Sequence, residues 1–335
     1  MLQKEYMGAW FASLFGALAA GPGCAGDFQD NPDAQAFIEE MEQRHQFDRE
    51  ELEALFEQAK KRDDILEAIS RPAEKTKPWH EYRSIFLTPK RINGGVSFWK
   101  ENEDILKRAE QAYGVDAAVI VAIIGVETRY GANTGSYRVI DALSTLAFEY
   151  PPRSKFFRSE LEQFLILARE EDVDVRKAKG SYAGAMGYGQ FIPSSYRAYA
   201  VDFSEDGKRD LWGNMDDIIG SVANYFQRHG WQGGKPVASK VSGNAPASGF
   251  QVSENIKPGK KTAGDYAKAG ITTDPPLPVD QAVALLEFEQ TNGPEYWLTT
   301  KNFYVITRYN RSPLYAMAVY QLSKAIQEAY QKDRS

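Results

Sequence analysis

Cysteine is almost absent from this chain of 335 residues: Cys24 is the one example, so no internal disulfide can form. Histidine is nearly as scarce. His45, His80 and His229 share no short-range spacing, which argues against a histidine metal site and against a Ser-His-Asp triad. Basic charge is not in excess either, since 40 Lys and Arg face 46 Asp and Glu for a net charge of −6. That balance argues against a nucleic-acid partner, which calls for a basic surface. Long apolar runs are limited to one, Met7 to Ala20 (MGAWFASLFGALAA). It is short for a membrane span and suits the apolar region of an export signal. Small residues surround Cys24, so residues 1–26 read as a signal peptide or a lipoprotein signal. Gly21 stands where a lipoprotein signal usually has leucine, and Glu5 offsets Lys4, so lipidation, ordinary cleavage and no processing all stay open.

What is present is a chain of two or three domains' length with ordinary apolar content. Phe37, Ile38 and Met41 recur at helix spacing. Asp48, Glu51 and the Phe47/Leu52 pair read as a capped helix start, continued by Leu55 and Phe56. A short helix follows around Ile65 and Ile69, then a connector over 71–78. The pattern predicts one helix from Ser97 to Tyr113, closed near Gly114. Further helices are predicted over 156–170, 215–229 and 315–330. Residues 233–278 are rich in Gly, Ser, Lys and Pro, with short alternating runs such as 249–252, and 283–288 and 296–298 read as strands. The fold expected is mainly α (α+β). It divides into a helical N-terminal region (27–113), a core (114–234), a small strand-containing insert (235–298) and a C-terminal return to the core (299–335).

One stretch, Ala117 to Gly131 (AAVIVAIIGVETRYG), sets the chemical question. Asp116 is placed to cap this apolar helix and Gly131 to end it, leaving Glu127 at the end of a segment built for burial. Desolvation disfavours a charged carboxylate, which suits a general acid near neutral pH. A buried structural ion pair with an arginine explains the same residue equally well. A glycosidase normally needs two carboxylates, and no second acid lies near Glu127 in the sequence.

Two other stretches add weight. Gly180 to Pro193 (GSYAGAMGYGQFIP) holds four glycines in its first ten residues but lacks the GxxxxGK[ST] form of a phosphate loop. Glycine interleaved with Tyr, Ser and Gln suits close approach of an extended polymer. Arg308 to Tyr315 (RYNRSPLY) sets two tyrosines and an amide at a helix entry. A third stretch, Asp202 to Asp210 (DFSEDGKRD), opens like an EF-hand loop. Asp202, Ser204 and Asp206 occupy positions 1, 3 and 5, Gly207 is the turn, and Lys208 offers its carbonyl. Position 12 is Gly213 rather than glutamate. Hard oxygen ligands favour Ca²⁺, with Na⁺ as the weaker occupant.

Taken in order, GVETRYG, GSYAGAMGYGQFIPSSY, DLWGNMDDIIGSVANYF and FYVITRYNRSPLYAMAV resemble the lytic murein transglycosylase B family, over about Pro78 to Tyr320. The resemblance implies a goose-type lysozyme-like helical core. It implies cleavage of the β-1,4 bond between N-acetylmuramic acid and N-acetylglucosamine in peptidoglycan, leaving 1,6-anhydromuramoyl ends. It also implies that one glutamate, at Glu127, makes both proton transfers, while the N-acetyl group of the sugar supports C1. A pKa near ~6–7 suits both steps. By the same resemblance Tyr82, Ser181, Gln190, Tyr225, Tyr309, Asn310 and Tyr315 bind substrate. The acidic loop is then lengthened and closed by Asp216. No catalytic cofactor is implied. The partners implied are glycan strands, other cell-wall enzymes and an outer-membrane anchor through Cys24, which place the protein in the periplasm. A hydrolytic muramidase and a non-catalytic peptidoglycan-binding scaffold are the alternatives.

Overall fold

The structure, a computed structural model, describes residues 26–70, 77–242 and 251–334. The signal at residues 1–26 with Cys24 lies outside them except for Gly26, as do most of the 71–78 connector and Gly249–Phe250 of the expected 249–252 strand. No single helix among the described residues is long and apolar enough to cross a membrane.

The first helix, α1 (Pro32–His45), starts where Asn31 accepts from the Asp33 and Ala34 N–H groups, and it buries Phe37, Ile38 and Met41. Asp48 caps α2 (Arg49–Gln58) by accepting from Glu51 N, as its spacing predicts. After α3 (Asp63–Ser70) the chain returns in α4 (Trp79–Phe86), α5 (Pro89–Glu101) and α6 (Glu103–Tyr113). The single helix expected from Ser97 to Tyr113 is therefore two. Asn102 sits between them at φ −122°, ψ 25°, and its side-chain amide donates to the Phe98 carbonyl at 2.8 Å. A local side-chain bond of that kind competes with the helix ladder. The start of α5 was hidden by Gly94 and Gly95, which interrupt the helical pattern.

Helix α7 (Ala117–Thr128) lies in the middle, with Ala117 to Gly125 and Thr128 buried and α5, α6, α11 and α14 packed round it. The last two are Met215–Arg228 and Pro313–Arg334. A helix apolar on all sides belongs inside a core. Asp116 stands at its N-cap but makes no capping bond. Burial instead holds its carboxyl above the usual range. Strand β1 (Tyr137–Arg138) leads into α8 (Val139–Glu149) and α9 (Ser154–Glu171). Phe148 of α8 meets Phe28, Phe37 and Phe56 edge-on at 5.6–6.0 Å, tying the N-terminal helices to this body. Strand β2 (Lys179–Gly180) pairs with β1, and α10 (Pro193–Tyr199) precedes α11.

Strands β3 (Ala238–Val241), β4 (Thr273–Asp274), β5 (Ala284–Gln290) and β6 (Gly293–Thr299) form one antiparallel sheet in the order β4-β3-β6-β5. The 283–288 and 296–298 runs thus become β5 and part of β6. Gln251 and Val252 are not in a strand. Helix α12 (Ala263–Lys268) covers the sheet, and Tyr266, Ile271, Val283, Leu285 and Leu298 make a second small core. Trp79 packs edge-on against Phe288 at 5.5 Å, which joins α4 to the sheet. Helix α13 (Lys301–Tyr309) then carries the chain back, and α14 runs alongside α7.

Candidate active site

The end of α7 is an unusual turn. Arg129, Tyr130 and Gly131 all have left-handed φ values of 54°, 60° and 87°. Gly131 is needed twice over, because a Cβ there also meets the Tyr188 ring at 2.1 Å. Thr128 staples the turn: its hydroxyl accepts from Gly131 N and lies within hydrogen-bond reach of the Ile124 and Tyr188 carbonyls. Glu127, half-buried, stands just before this turn. Its Oε1 accepts a hydrogen bond from the Tyr315 hydroxyl of α14 at 2.5 Å.

The glycine-rich loop is held beside this turn by the β1–β2 pairing. Ser181 Oγ accepts from Ala183 N and Ala185 N, so its lone pairs shape its own loop and its proton is what it can offer a ligand. Gln190 takes a left-handed φ of 50°, and its amide nitrogen reaches the Thr134 and Gly187 carbonyls. Tyr309 Oη donates to Gly189 O at 2.5 Å, fastening the loop to the end of α13.

Beyond Gln190 opens a cleft of about 720 Å³. Gln190, Tyr225 and Tyr309 line it, together with Arg153, Phe156, Phe191, Ile192, Ser195, Arg308 and Arg311. Sequence reasoning missed these last seven, although Arg308 and Arg311 flank the quoted tyrosine and asparagine. Glu127 is not in that wall. It is connected to the cleft through the tyrosines. Burial pushes the Tyr309 and Tyr315 phenols well up from their ordinary value, and the neighbouring Glu127 charge pushes further. Burial likewise raises Tyr225 to about 12. All three therefore remain protonated donors at neutral pH. Tyr225 donates to Arg308 O and meets Tyr309 edge-on at 4.8 Å. Tyr82 of α4, buried, adds to the electrostatic surroundings of Tyr315. Glu127, Tyr315, Tyr309, Tyr225 and Tyr82 are thus neighbours, and Gln190 shares the cleft wall with Tyr225 and Tyr309. Asn310 ends α13 in extended backbone.

The acidic loop lies elsewhere, between α10 and α11. Asp202, Asp206 and Asp217 bring carboxylate oxygens within 4.8 Å of one another. Asp202 accepts from Ser204 Oγ, Asp206 N and Gly207 N. Burial works to raise the Asp202 carboxyl, but those donors outweigh it and hold it below the usual range. Gly207 makes the turn at φ 90°, as expected. Lys208 sends its ammonium to Asp172 at 3.3 Å. The acid grouped with Asp202 and Asp206 is Asp217, where Asp216 was expected. Asp216 faces Arg108 of α6 at 2.9 Å. Asp217, one residue on and turned by about 100° on α11, is fully buried and accepts from the Phe203, Ser204 and Asp210 N–H groups. The oxygen-rich set of Asp202, Ser204, Asp206 and Asp217 fits a hard cation.

Residues 29–324 match the family model described as transglycosylase SLT domain. The membrane-bound lytic murein transglycosylase B of Escherichia coli K12 is 48% identical over 312 residues, which cover 90% of this chain and 84% of that one. The catenated lytic transglycosylase SltB1 of Pseudomonas aeruginosa superposes with a TM-score of 0.84 at 51% identity, covering 91% of this chain and 100% of that one. The E. coli lytic transglycosylase Slt35 in complex with calcium gives 0.82 at 47% identity, over 91% and 96% of the two chains.

Proposed function

The chain belongs to the transglycosylase SLT domain family, and we propose from that membership and the Glu127 geometry how its groups carry the reaction. It is a peptidoglycan lytic transglycosylase. Protonated Glu127 donates to the glycosidic oxygen between N-acetylmuramic acid and N-acetylglucosamine, and the bond to C1 breaks. Glu127, now a carboxylate, takes the proton of the muramoyl C6 hydroxyl as that oxygen attacks C1. The 1,6-anhydro ring closes without consuming water, and the intramolecular nucleophile gains from proximity. With Tyr315 donating to Oε1, the proton in transit sits on Oε2.

The observation that carries this reading is the Tyr315–Glu127 bond at the end of a buried helix, where the phenol orients a half-buried carboxylate. Among the described residues, the walls of the adjoining cleft supply arginine, tyrosine, glutamine and serine and no acid. Membership of a lytic transglycosylase family favours a substrate-supplied nucleophile over water activated by a second carboxylate. Gln190, Tyr225 and Tyr309 line the glycan path, with Ser181, Tyr82 and Asn310 at its margins. The test is a mass spectrum of products from purified peptidoglycan. Fragments lighter by one water than hydrolytic muropeptides support the reading. Reducing ends mean a hydrolase, and absence of fragments means a binding scaffold.

The acidic loop is read as a structural Ca²⁺ site of Asp202, Ser204, Asp206 and Asp217 with the Lys208 carbonyl, taking no part in the chemistry. Na⁺ is the weaker occupant. The protein is read as periplasmic, with its N-terminal signal cut immediately before Cys24 and Cys24 as the point of lipid attachment to the outer membrane. Fractionation of Cys24→Ala tests this: release of the protein from the membrane fraction supports the anchor, and unchanged fractionation removes it.

A further inference from the structure

Two reciprocal bonds to α5 bracket the segment that carries Glu127. Arg91, in the first turn of α5, donates from Nη1 to the Gly125 carbonyl at 2.5 Å. Gly125 is two residues before Glu127. In the opposite direction, the Tyr130 hydroxyl donates to the carbonyl of Arg91 itself at 2.7 Å. Tyr130 is three residues after Glu127. Each residue thus uses its side chain on the other's stretch of backbone.

The fit around this pair is close. A Cβ on Gly125 meets the Tyr130 hydroxyl at 2.5 Å, a Cβ on Gly95 meets it at 2.7 Å, and a Cβ on Gly94 meets the ring at 3.0 Å. Glycine is a poor helix former, so the Gly94-Gly95 pair inside α5 weakens that helix and in return makes a slot for one ring. Phe98 closes the slot at 5.7 Å between ring centres. Arg91 is 9% exposed, and its guanidinium lies 5.3 Å from the Phe86 ring centre. Its other acceptor is the Ile85 carbonyl at 3.5 Å. Gly125 and Ile85 lie in the last turns of α7 and α4, where helix carbonyls carry partial negative charge. A buried cation between two helix ends therefore joins the helix of Glu127 to the helix of Tyr82.

We propose that Arg91 and Tyr130 are positioning residues that clasp the end of α7 and hold Glu127 in register for proton transfer. The inference rests on Glu127 being the proton carrier. Backbone such as the left-handed run 129–131 persists only where its surroundings over-determine it, and the clasp supplies that restraint. When it is loosened, the turn relaxes and the Glu127 carboxylate drifts from Tyr315. Proton transfer is sensitive to such drift, since a displacement of about 1 Å costs on the order of a hundredfold. Substrate binding is less sensitive, because Gln190, Tyr225 and Tyr309 stand on other elements.

The experiment uses the full chain and soluble uncrosslinked glycan strands. Tyr130→Phe keeps the ring in its slot and deletes one bond. Arg91→Met keeps most of the volume and deletes the other, and Arg91→Lys retains the charge. The expected result is a kcat lower by about tenfold for Tyr130→Phe and about a hundredfold for Arg91→Met. KM stays within about twofold, part of kcat returns in Arg91→Lys, and the losses do not track melting temperature. The inference is overturned by parent-like kcat in folded Tyr130→Phe, or by losses that follow KM or melting temperature. Tyr130→Phe carries the test alone should Arg91→Met not fold. Glu127→Gln, measured alongside, separates the two failures. If it is inactive while the clasp variants match the parent, only the clasp fails. If it is active, the proton-carrier assignment fails and the clasp with it.

Discussion

Tyr315 and Glu127 are 188 residues apart in sequence and 2.5 Å apart in space, phenol hydroxyl to carboxylate oxygen. The contact joins α14 to α7, so the chain must complete its fold before the glutamate is oriented. Hydrogen bonds to charged groups are worth about 1.5–3 kcal/mol. Tyr315→Phe is therefore expected to lower kcat roughly ten- to a hundredfold. The ring remains buried, so the melting temperature should move little. Turnover of glycan strands together with a melting curve checks both, and unchanged kcat contradicts the role given to this hydroxyl.

The acidic loop separates Asp216 from Asp217. Ca²⁺ at a hundred times its dissociation constant should stabilise the protein by about 2.7 kcal/mol, seen as a higher melting temperature. Asp217→Asn should abolish the response and destabilise the protein on its own, because that side chain is buried among three backbone donors. Asp216→Asn should leave the response intact. Calorimetry with and without Ca²⁺ decides, and the reverse pattern restores Asp216 as the closing ligand.

His229 gives a pH dependence of stability. Burial pulls its pKa below the ordinary value, and the nearby Arg308 and Lys301 charges act in the same direction, against the Tyr225 carbonyl. The folded protein therefore holds it neutral where the unfolded chain protonates it. Its contribution is complete above about pH 6.5, the unfolded value, and is lost as pH falls from there through the folded value. The slope is at most about 1.4 kcal/mol per pH unit for one proton. Denaturant titrations at pH 7 and pH 5 should show the loss, and His229→Gln should flatten it.

Where local chemistry decided the outcome, the sequence was readable. Asp48 caps as its spacing predicts, α7 is apolar all round because it is buried all round, and Gly207 turns the acidic loop. Other features were not readable, because a distant partner decides them. Whether Asp216 or Asp217 faces the loop depends on the rotation of α11 and on Arg108 from α6. The start of α5 was obscured by two glycines that make room for side chains from elsewhere in the chain, Tyr130 at both and Ile326 of α14 at Gly95. The arginines of the cleft, Arg153, Arg308 and Arg311, come from separate segments that only the fold assembles. GVETRYG pointed to Glu127, but nothing in that motif names Tyr315 or Arg91 as its supports.

Glu127→Gln is the most direct measurement. The amide keeps the size of the side chain and can still accept from Tyr315, but it cannot give or take the proton. The variant should melt within a few degrees of the parent and still bind glycan strands. Its release of anhydromuropeptides should fall on the order of a thousandfold or more. Release near the parental rate from a folded Glu127→Gln protein would contradict the assignment of both proton transfers to this residue.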